Sequence, residues 1–418
     1  MGFKVYKFGG ASVKDAEGVR NVAHVIRETG ATDAVVVVSA MGKMTNAFEE
    51  LVDAYFSRED RITDALEPLI SFHLNIAKDL FENTSHSVFK ELNLLFNELT
   101  DFLKRNKSPD YDFVYDQVVV YGELLSTTIV SAYFNVIRLV NTWHDVRRYI
   151  KTNTRYREGK VDWEITMRNL SRNIPKQGLQ VTQGFIASDP NGFSTTLGRE
   201  GSDYTAAIIA YCLNAESVTI WKDVPGVLSG DPRYFKNTVL LNTISYTEAV
   251  ELAFYGASVI HPKTLQPLQR KEIPLLVKSF ANPTASGTQV CLGEPINPLV
   301  PCYILKRQQI LLSLSSLDFS FMDEENIGEI FKLLGYYKLK VDLIQNSAIS
   351  FSVCVEDKYR NLEKLVARLK ADYKVTVYEQ VSLYTLRHPN QAAVSQLEED
   401  KEILLKQVTQ NTVQLVSL

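Results

Sequence analysis

Charged and hydroxyl side chains stand beside glycines at several points where a strand pattern in this sequence ends. At the first point, Lys7 closes a strand pattern, Gly9 and Gly10 follow, and a helix start comes next. Glycines let backbone N–H groups approach phosphate oxygens, a helix N-terminus favours negative charge, and a lysine ammonium is a compact counter-charge. This combination predicts an anion site. The GxxxxGK[ST] spacing of a Walker A loop is absent, and a plain strand-to-helix turn is the alternative interpretation.

The segment 195–207 combines more chemistry than a simple loop usually does. Two glycines flank Arg199, and Asp203 belongs to the Ser-Asp pair that opens an alanine-rich helix. The planar fork of an arginine suits a carboxylate. Asp203 can accept from an ammonium or orient Lys7. Of the five segments with candidate chemistry, this one is the most specific.

Three further segments are weaker, because each also has a structural explanation. Ser39 and Thr45 lie just after a buried strand, where open α/β sheets place ligands, but they also suit a helix N-cap. Glu123, at the predicted start of a helix, either serves the helix dipole or binds a substrate ammonium. The turns 221–227 and 230–233 suit purine, ribose and phosphate contacts, although either alone is more often only a turn.

Strand and helix patterns alternate in an order that would position these segments. Residues 3–8 predict a strand, Ser12 predicts the N-cap of the next helix, and 34–38 predict a strand buried on both faces. This order is a βαβ unit. Further strands are predicted at 117–121, 136–140, 181–186, 217–221 and 275–279, with a helical insertion over about 46–112 and helices at 123–134 and 203–213. His73 lies on an apolar stripe of the insertion, which favours a structural role.

The rhythm changes after a Pro- and Gly-rich stretch over 283–301, which is typical of a linker. Strands are predicted at 310–317, 341–345, 349–355 and 375–386, with helices at 327–334 and 362–369. This βαββαβ order indicates a small split-βαβ module. The tail, 387–418, adds a helix and a pair of strands, which is too short for a second full copy.

Length and composition bound the class of protein. A chain of 418 residues exceeds the roughly 250–300 residues of a single core, so two or three domains are expected. A net charge of −4 argues against broad nucleic-acid binding, which requires a concentrated basic surface. The four cysteines are far apart, so neither a zinc site nor a disulfide framework is expected and a reducing cytoplasm fits best. No membrane helix and no signal peptide are predicted.

In this order and spacing, the five segments resemble those of the aspartate kinases, a branch of the amino-acid kinase family, followed by an ACT regulatory module. The motifs that carry the resemblance are Lys-Phe-Gly-Gly at 7–10, Gly-Arg-Glu-Gly-Ser-Asp at 198–203 and Asp-Val-Pro-Gly-Val at 223–227. Further matches are Asp145-Val146-Arg147 with Thr152, Phe254-Tyr255-Gly256-Ala257 leading to His261-Pro262, and Ser286-Gly287-Thr288. The resemblance covers essentially residues 3–378.

This resemblance implies a fold, a division into domains and a function. The fold is an α/β three-layer αβα sandwich with a mostly parallel open sheet, plus a ferredoxin-like βαββαβ ACT module. The domains are a catalytic domain over 1–298, an ACT-like regulatory domain over 299–378 and a partial second ACT-like segment over 379–418. The function is phosphorylation of the L-aspartate side-chain carboxylate by ATP with Mg²⁺, the step that commits aspartate towards lysine, threonine and methionine. A homodimer or higher homo-oligomer through the ACT region is implied too.

Matching positions then imply a role for each candidate residue. The transferring phosphoryl group would be held by Lys7, Gly9 and Gly10, with Asp203 as a further catalytic residue. Aspartate would be bound by Ser39, Thr45, Glu123, Arg199 and Asp203. The nucleotide would be met by Lys7, Lys222, Asp223, Val227, Arg233 and Lys263. An amino-acid effector, lysine or threonine, would be bound by Leu317, Asp318, Val341, Asp342 and Ser347. The residue types suit the reaction, since a carboxylate nucleophile needs no general base and phosphoryl transfer mainly requires positioning and charge neutralisation.

The sequence departs from the family pattern at several positions. Ala11 replaces a threonine that usually follows the two glycines, and Lys222 replaces a common threonine. Ser258 stands where some members have a nucleotide-contacting lysine, and Lys263 is a candidate substitute. Ala348 stands where lysine-sensitive relatives tend to have an acidic residue. An ammonium-bearing effector then loses one counter-charge, so we expect weakened or altered feedback.

Two other functions compete with this interpretation. One is an amino-acid kinase acting on a different carboxylate or carbamate, against which the ACT-like tail and the 199–203 segment argue. The other is a degenerate kinase fold that survives as an amino-acid sensor. The presence of Lys7 together with Glu123, Arg199 and Asp203 argues against a sensor, because a sensor has no need for a lysine on the phosphoryl side.

Overall fold

The computed structural model describes residues 2–57, 61–257, 260–318 and 320–418. The chain forms two compact units, which are described separately. The first unit comprises Met1–Val227, Leu240–Val250 and Val259–Asn297. The second comprises Leu228–Val239, Glu251–Ser258 and Pro298–Leu418. None of the helices in the described residues is long and apolar enough to cross a membrane.

The elements up to residue 297 alternate between strands and helices. The strands are β1 (Lys4–Phe8), β2 (Ala34–Val38), β3 (Asn141–His144), β4 (Leu179–Gln183), β5 (Ile186–Ser188), β6 (Ser194–Thr196), β7 (Ser217–Lys222), β8 (Thr243–Ser245), β9 (Leu275–Ser279) and β10 (Thr288–Cys291). The helices are α1 (Ala16–Glu28), α2 (Met44–Ser57), α3 (Ile62–Leu80), α4 (Ser87–Arg105), α5 (Tyr111–Val136), α6 (Trp163–Asn173), α7 (Gly201–Leu213), α8 (Tyr246–Tyr255) and α9 (Pro262–Arg270).

A mostly parallel sheet forms the centre of the first unit, in the order β3-β4-β2-β1-β7-β9-β10-β8. Every residue of β2 and β4 is buried, so both faces of the sheet are covered. In this sheet only the β9–β10 pair is antiparallel among the described strands. This is the three-layer αβα arrangement that was predicted.

Strand register places three chain segments side by side at the carboxyl edge of this sheet. Phe8 at the end of β1 is the partner of Val38 in β2 on one side and of Trp221 in β7 on the other. The segments after these strands therefore begin at the same edge, which is where open parallel sheets place their ligands. Lys7 and Lys222 consequently lie on neighbouring strands.

The structure corrects the element predicted around Glu123. The stretch 117–121 is not a strand but part of helix α5, whose 26 residues run through it without a break. Its run of valines is buried, and a helix buried all round has the same continuous apolar pattern as a buried strand. Glu123 therefore lies in the middle of a long helix, where no helix dipole explains it.

Other boundaries also differ from the prediction. The strand predicted at 136–140 begins only at Asn141, because α5 continues to Val136. Ser12 lies inside a short 3₁₀ turn, and Asp15 caps α1 by accepting from the N–H of Gly18. The stretch 283–301 is not only a linker, since β10 belongs to the sheet.

The second unit is built on an antiparallel sheet. Its elements are β11 (Cys302–Ser316), α10 (Glu324–Tyr336), β12 (Lys340–Asn346), β13 (Ser350–Glu356), α11 (Leu362–Leu369), β14 (Tyr373–Arg387), α12 (Gln391–Glu398), β15 (Ile403–Val408) and β16 (Thr412–Ser417). The strand order is β12-β13-β11-β14-β16-β15. Residues from 310 to 378 have the predicted βαββαβ order, and α10 and α11 contribute to one apolar core with this part of the sheet.

Strands β11 and β14 are long because each continues from one half of the sheet into the other. Residues 302–306 of β11 pair with 383–387 of β14, and β16 and β15 extend this half. A register shift between Lys306 and Gln309 separates the two halves. The tail beyond residue 387 therefore adds two strands to a four-stranded half of the sheet, whose other two strands are 302–306 of β11 and 383–387 of β14.

Candidate active site

Two lysines converge on one buried aspartate at the carboxyl edge of the parallel sheet. The Lys7 ammonium lies 2.7 Å from Oδ1 of Asp203, and the Lys222 ammonium lies 3.8 Å from Oδ2. Only 3% of the Asp203 side chain is exposed, against 11% for Lys7 and 22% for Lys222. Glu200 and Arg199 belong to the same cluster, since the charges of Lys7, Lys222, Arg199 and Asp203 all act on the Glu200 carboxyl. Three positive and two negative charges leave a local surplus that suits an anion. The ion pair also fixes the position of the Lys7 ammonium.

The turn after β1 is held tightly against the turn after β2. The N–H of Gly42 donates to the carbonyl of Gly10 over 3.0 Å, and the N–H of Ser39 donates to the carbonyl of Phe8 over 3.1 Å. A Cβ on Gly10 would lie 2.6 Å from the carbonyl oxygen of Gly42, so a side chain cannot fit there. Beside it, the hydroxyl of Ser12 is buried and has no hydrogen-bond partner among the described residues. This backbone cradle fits a phosphoryl group next to Lys7.

Glu123 aims a buried carboxyl at the same turn. Its Oε1 accepts from the N–H of Ala40 over 3.2 Å, while Oε2 is buried without a partner in the described part of the chain. Burial raises the pKa of Glu123 to about 8, and the nearby Lys7 charge only partly opposes this. A cationic group on a small ligand would satisfy Oε2. Ser39 and Thr45, both half-buried, lie on the segment that donates to Glu123 and at the start of α2.

The loop between β6 and α7 carries Arg199. Gly198 and Glu200 on either side both have left-handed backbones, with φ of 81° and 54°, and the Arg199 side chain is exposed. Burial lowers the pKa of His261, and the positive charges of Lys263 and Arg199 lower it further. Arg199 and Lys263 therefore lie close to the same histidine, on which the Asp203 charge also acts.

The predicted nucleotide residues are divided between the two units. Asp223 is exposed in the turn after β7, and Val227 is buried with its N–H donating to the hydroxyl of Thr288 over 2.8 Å. Arg233 belongs to the second unit, where its exposed guanidinium makes an ion pair with Asp231 at 2.6 Å.

Lys263 is the candidate substitute for the nucleotide-contacting lysine that some relatives have in place of Ser258. Lys263 is exposed at the start of α9, and its ammonium would lie 3.7 Å from a Cβ on Gly198. It is therefore beside the loop that carries Arg199. Ser258 lies outside the described residues.

Comparison with known proteins assigns the family. The model of the amino acid kinase family matches residues 2–279, about two thirds of the chain. The chain belongs to the amino acid kinase family. Within this family its relatives are aspartokinases, which confirms the resemblance inferred from the motifs.

Individual relatives cover nearly the whole chain. Lysine-sensitive aspartokinase 3 of Escherichia coli (strain K12) is 32% identical over 393 residues, which span 91% of this chain and 86% of the relative. Chloroplastic aspartokinase 1 of Arabidopsis thaliana is 29% identical over 400 residues, which span 91% and 68%. In the chloroplastic bifunctional aspartokinase/homoserine dehydrogenase 2 of Arabidopsis thaliana, by contrast, the residues that match this chain make up only 32% of the relative's length.

Solved structures agree with the sequence relatives. Escherichia coli aspartokinase III in complex with lysine and aspartate (T-state) has a TM-score of 0.84 and 29% identity, covering 99% of this chain and 95% of that one. The same protein in complex with aspartate and ADP (R-state) has a TM-score of 0.82 and 29% identity, covering 99% and 96%. The predicted fold class is thereby confirmed.

In this kinase the residues predicted to bind an effector lie on the second unit and differ in exposure. Leu317 and Asp318 are exposed after β11, and the hydroxyl of Ser347 is 2.6 Å from that of Ser350. Val341 is half-buried. The Asp342 side chain is only 4% exposed, and its Oδ1 has two cationic neighbours, Lys306 at 2.8 Å and Lys340 at 3.3 Å. Its Oδ2 is buried without a hydrogen-bond partner in the described residues.

His73 was expected to be structural, and this is confirmed. Its ring is fully buried, and Nδ1 lies 2.7 Å from the carbonyl of Leu69. Burial lowers the pKa of His73 to about 4, so the ring is neutral near pH 7.

Asp116 is a buried carboxylate of this kinase that was not predicted as a site residue. It is fully buried and accepts three hydrogen bonds, from the N–H of Arg157 and from the N–H and hydroxyl of Thr196. Its spacing from Glu123 could have indicated it. The two residues are seven positions apart, which is about two helical turns and places both on one face of a helix. The false strand over 117–121 hid that relationship.

Proposed function

We propose that the protein transfers the terminal phosphoryl group of ATP to the side-chain carboxylate of L-aspartate, giving 4-phospho-L-aspartate. The observation that carries this proposal is the Lys7–Asp203 ion pair, set beside the glycine cradle and the buried carboxyl of Glu123. The nucleophile is an ionised carboxylate, so the site needs no general base. What it must supply is charge neutralisation and alignment, and the surplus positive charge at Asp203 supplies the first.

Both charged groups on the α-carbon of aspartate have a partner of complementary charge. Arg199 binds the α-carboxylate through its planar fork, and Glu123 accepts from the α-ammonium through the oxygen that has no protein partner. Ser39 and Thr45 contact the substrate from the side of the cradle. The side-chain carboxylate is thus directed towards Lys7, with neither α-group left unpaired.

The phosphoryl groups of ATP occupy the cradle formed by Gly9 and Gly10, whose backbone N–H groups and the Lys7 ammonium stabilise developing negative charge. Asp203 holds Lys7 in place. Lys222 adds a second ammonium on the neighbouring strand, and Asp223 and Val227 lie in the turn that meets the nucleotide.

Mg²⁺ accompanies the nucleotide in this proposal. No group of three or more histidine, cysteine, aspartate or glutamate side chains suited to a metal occurs in the described ranges. In phosphoryl-transfer sites Mg²⁺ is usually held mainly by nucleotide oxygens and water, with few protein ligands, so it does not require such a group of side chains. The ion would neutralise phosphate charge that Lys7 does not reach.

The second unit binds an amino-acid effector and carries the contacts of a homo-oligomer. Support comes from its ferredoxin-like module and from the relative named as lysine-sensitive. In this chain the carboxylate of Asp342 is already paired with Lys306, and Ala348 offers no charge. The positive charges of Lys306 and Lys340 beside Asp342 oppose an ammonium-bearing effector, and Ala348 supplies no carboxylate to offset them.

A Lys7→Met variant tests the proposed chemistry. It removes the ammonium but keeps the apolar stem, so kcat should fall by roughly 100-fold or more while aspartate still binds. Activity and calorimetric titration with aspartate are measured on the same preparation. A variant that turns over normally would contradict the role of Lys7. Aspartate binding without turnover in the wild-type protein would favour the sensor alternative.

A further inference from the structure

Helix α5 contains two buried carboxylates on one face, and only one of them, Glu123, points to the cradle. The other, Asp116, accepts from the hydroxyl of Thr196 over 2.8 Å and from its N–H over 3.0 Å. It also accepts from the N–H of Arg157 over 2.9 Å. A buried carboxylate is costly to keep, and three donors to one side chain are an unusual concentration for a helix interior. The arrangement ties two separate loops to α5.

Both tethered loops lead to Gly198 and Arg199. Thr196 is the last residue of β6, three positions before Arg199. The second loop reaches the same place, since a Cβ on Gly198 would lie 3.4 Å from the carbonyl oxygen of Arg157. The N–H of Gly159 donates to the carbonyl of Thr196 over 2.8 Å and joins the two loops to each other. The left-handed Gly198 is thus enclosed between segments that Asp116 holds.

A second side chain of α5 holds the other end of β6. Gln117 donates to the carbonyl of Ser194 over 2.9 Å and accepts from its N–H over 3.0 Å. Strand β6 is therefore fixed to α5 at both ends, so its orientation relative to Glu123 is determined. Between Thr196 and Arg199 the backbone makes one more bond to the scaffold, from the N–H of Leu197 to the carbonyl of Phe185.

We infer that Asp116 is a positioning residue for aspartate recognition: it fixes Arg199 at the distance from Glu123 that matches the two charged groups of the amino acid. This inference rests on the proposed function, in which Arg199 binds the α-carboxylate and Glu123 the α-ammonium of the substrate. One helix then controls both contacts, Glu123 directly and Arg199 through Asp116.

The ionised form of Asp116 is the one that accepts three donors. Burial raises the pKa of Asp116 to about 6. Its titratable neighbours are Tyr115 on its own helix and Arg157 and Tyr156 on the loop, whereas β6 brings only hydroxyl side chains. Protonation below this pH removes acceptor capacity and should loosen the same tethers that an Asp116→Asn substitution loosens.

The test compares steady-state kinetics of Asp116→Asn and wild type over pH 5 to 8. At pH 7.5 the KM for aspartate should rise about tenfold with kcat changed less than about threefold, since misplacement of a binding group by a fraction of an ångström has effects of this order. The ratio of the two KM values should approach one below about pH 5.5, where wild type is itself protonated. Glu123 titrates in both proteins and cancels from the ratio.

Two further variants make the outcome decisive. Asp112→Asn, on the same helix and in contact with the side chain of Arg157 rather than its backbone, is the matched control and should leave KM unchanged. Thr196→Val removes one hydrogen bond to Asp116 without changing side-chain shape, and should raise the KM in the same sense even if Asp116→Asn fails to fold. A fall in kcat and thermal stability with an unchanged KM in Asp116→Asn or Thr196→Val would overturn the inference, since it would show a merely structural role.

Failure of the inference is distinguishable from failure of the proposed function. In an Arg199→Ala background, Asp116→Asn should add no further increase in KM, because it acts through Arg199. If Arg199→Ala raises KM and Asp116→Asn does not, only the positioning role is wrong. If Arg199→Ala itself leaves KM unchanged, the assignment of Arg199 to the substrate is wrong and the inference falls with it.

Discussion

The carboxyl group of Glu123 should couple aspartate binding to release of a proton. Burial raises the pKa of Glu123 to about 8 in the free protein. The α-ammonium of aspartate pairs with the ionised form, so the substrate selects a form that is in the minority at neutral pH. Binding should therefore strengthen as pH rises through 8 and weaken as pH falls below it.

The size of this effect follows from the fraction of Glu123 that is ionised. With a pKa of about 8, that fraction is about 3% at pH 6.5 and about 76% at pH 8.5. Since the apparent Kd is the intrinsic Kd divided by the competent fraction, aspartate should bind about 25-fold more tightly at the higher pH. At pH 7 about 0.9 proton should be released for each aspartate bound.

Calorimetry in two buffers of different ionisation enthalpy measures this proton directly. The wild-type protein should show the release and the pH dependence together. Glu123→Gln keeps the shape and cannot ionise, so its weak binding should be nearly independent of pH and should release no proton. Aspartate affinity in wild type that does not change between pH 6.5 and 8.5, without proton release, would refute the assignment of Glu123 to the substrate ammonium.

The same shift has a consequence for stability. A carboxyl whose pKa is raised by folding binds its proton more tightly in the folded state than in the unfolded one. Its contribution to stability is therefore present below the unfolded value of 4.5 and is lost as pH rises towards 8. Glu123→Gln should accordingly lose less stability than wild type over that range, which chemical denaturation at several pH values checks.

Three remaining predictions concern charged or missing side chains. Lys222→Thr should raise the KM for ATP by about threefold, as expected for a partly exposed charge, and leave the KM for aspartate unchanged; an unaltered KM for ATP would remove Lys222 from the nucleotide site. Arg199→Ala should raise the KM for aspartate about 30-fold, equivalent to about 2 kcal/mol for charge-assisted hydrogen bonds, and an unchanged KM would exclude it from the substrate site. Lysine should inhibit the kinase only weakly because Ala348 lacks a carboxylate, and a micromolar inhibition curve would contradict this.

The strands at the centre of the fold were predictable because their patterns are unambiguous. The five buried residues 34–38 have the composition of a strand covered on both faces, and the structure gives the same bounds. Helix α11 was also predicted with its observed bounds, since its apolar residues recur at helical spacing. In both cases local propensity and burial favour the same structure.

Around Glu123, local propensity and burial favour different structures. Valines at 118, 119 and 120 favour a strand locally, yet α5 is buried along much of its length and takes a helical backbone. The strand prediction at that point concealed the shared face of Asp116 and Glu123. A contact between residues 116 and 196 depends on how the chain folds back over 80 positions, and no periodicity in the sequence carries that information.

The candidate site was partly predictable for the same reason. Lys7, Asp203 and Glu123 were found because glycines, helix starts and isolated charges mark their segments. Their convergence needed the register of β1 with β2 and β7. The ion pair of Asp342 with Lys306 was not predictable, because Lys306 lies 36 positions away on another strand.

Phosphorylation of the aspartate side-chain carboxylate is tested most directly by the formation of aspartyl hydroxamate from ATP, Mg²⁺ and L-aspartate in the presence of hydroxylamine. An aspartate kinase should form hydroxamate only when aspartate is present and in step with ADP, and the Lys7→Met variant should form none. ADP release that is unaffected by aspartate, or no hydroxamate from a preparation that binds aspartate, would contradict it.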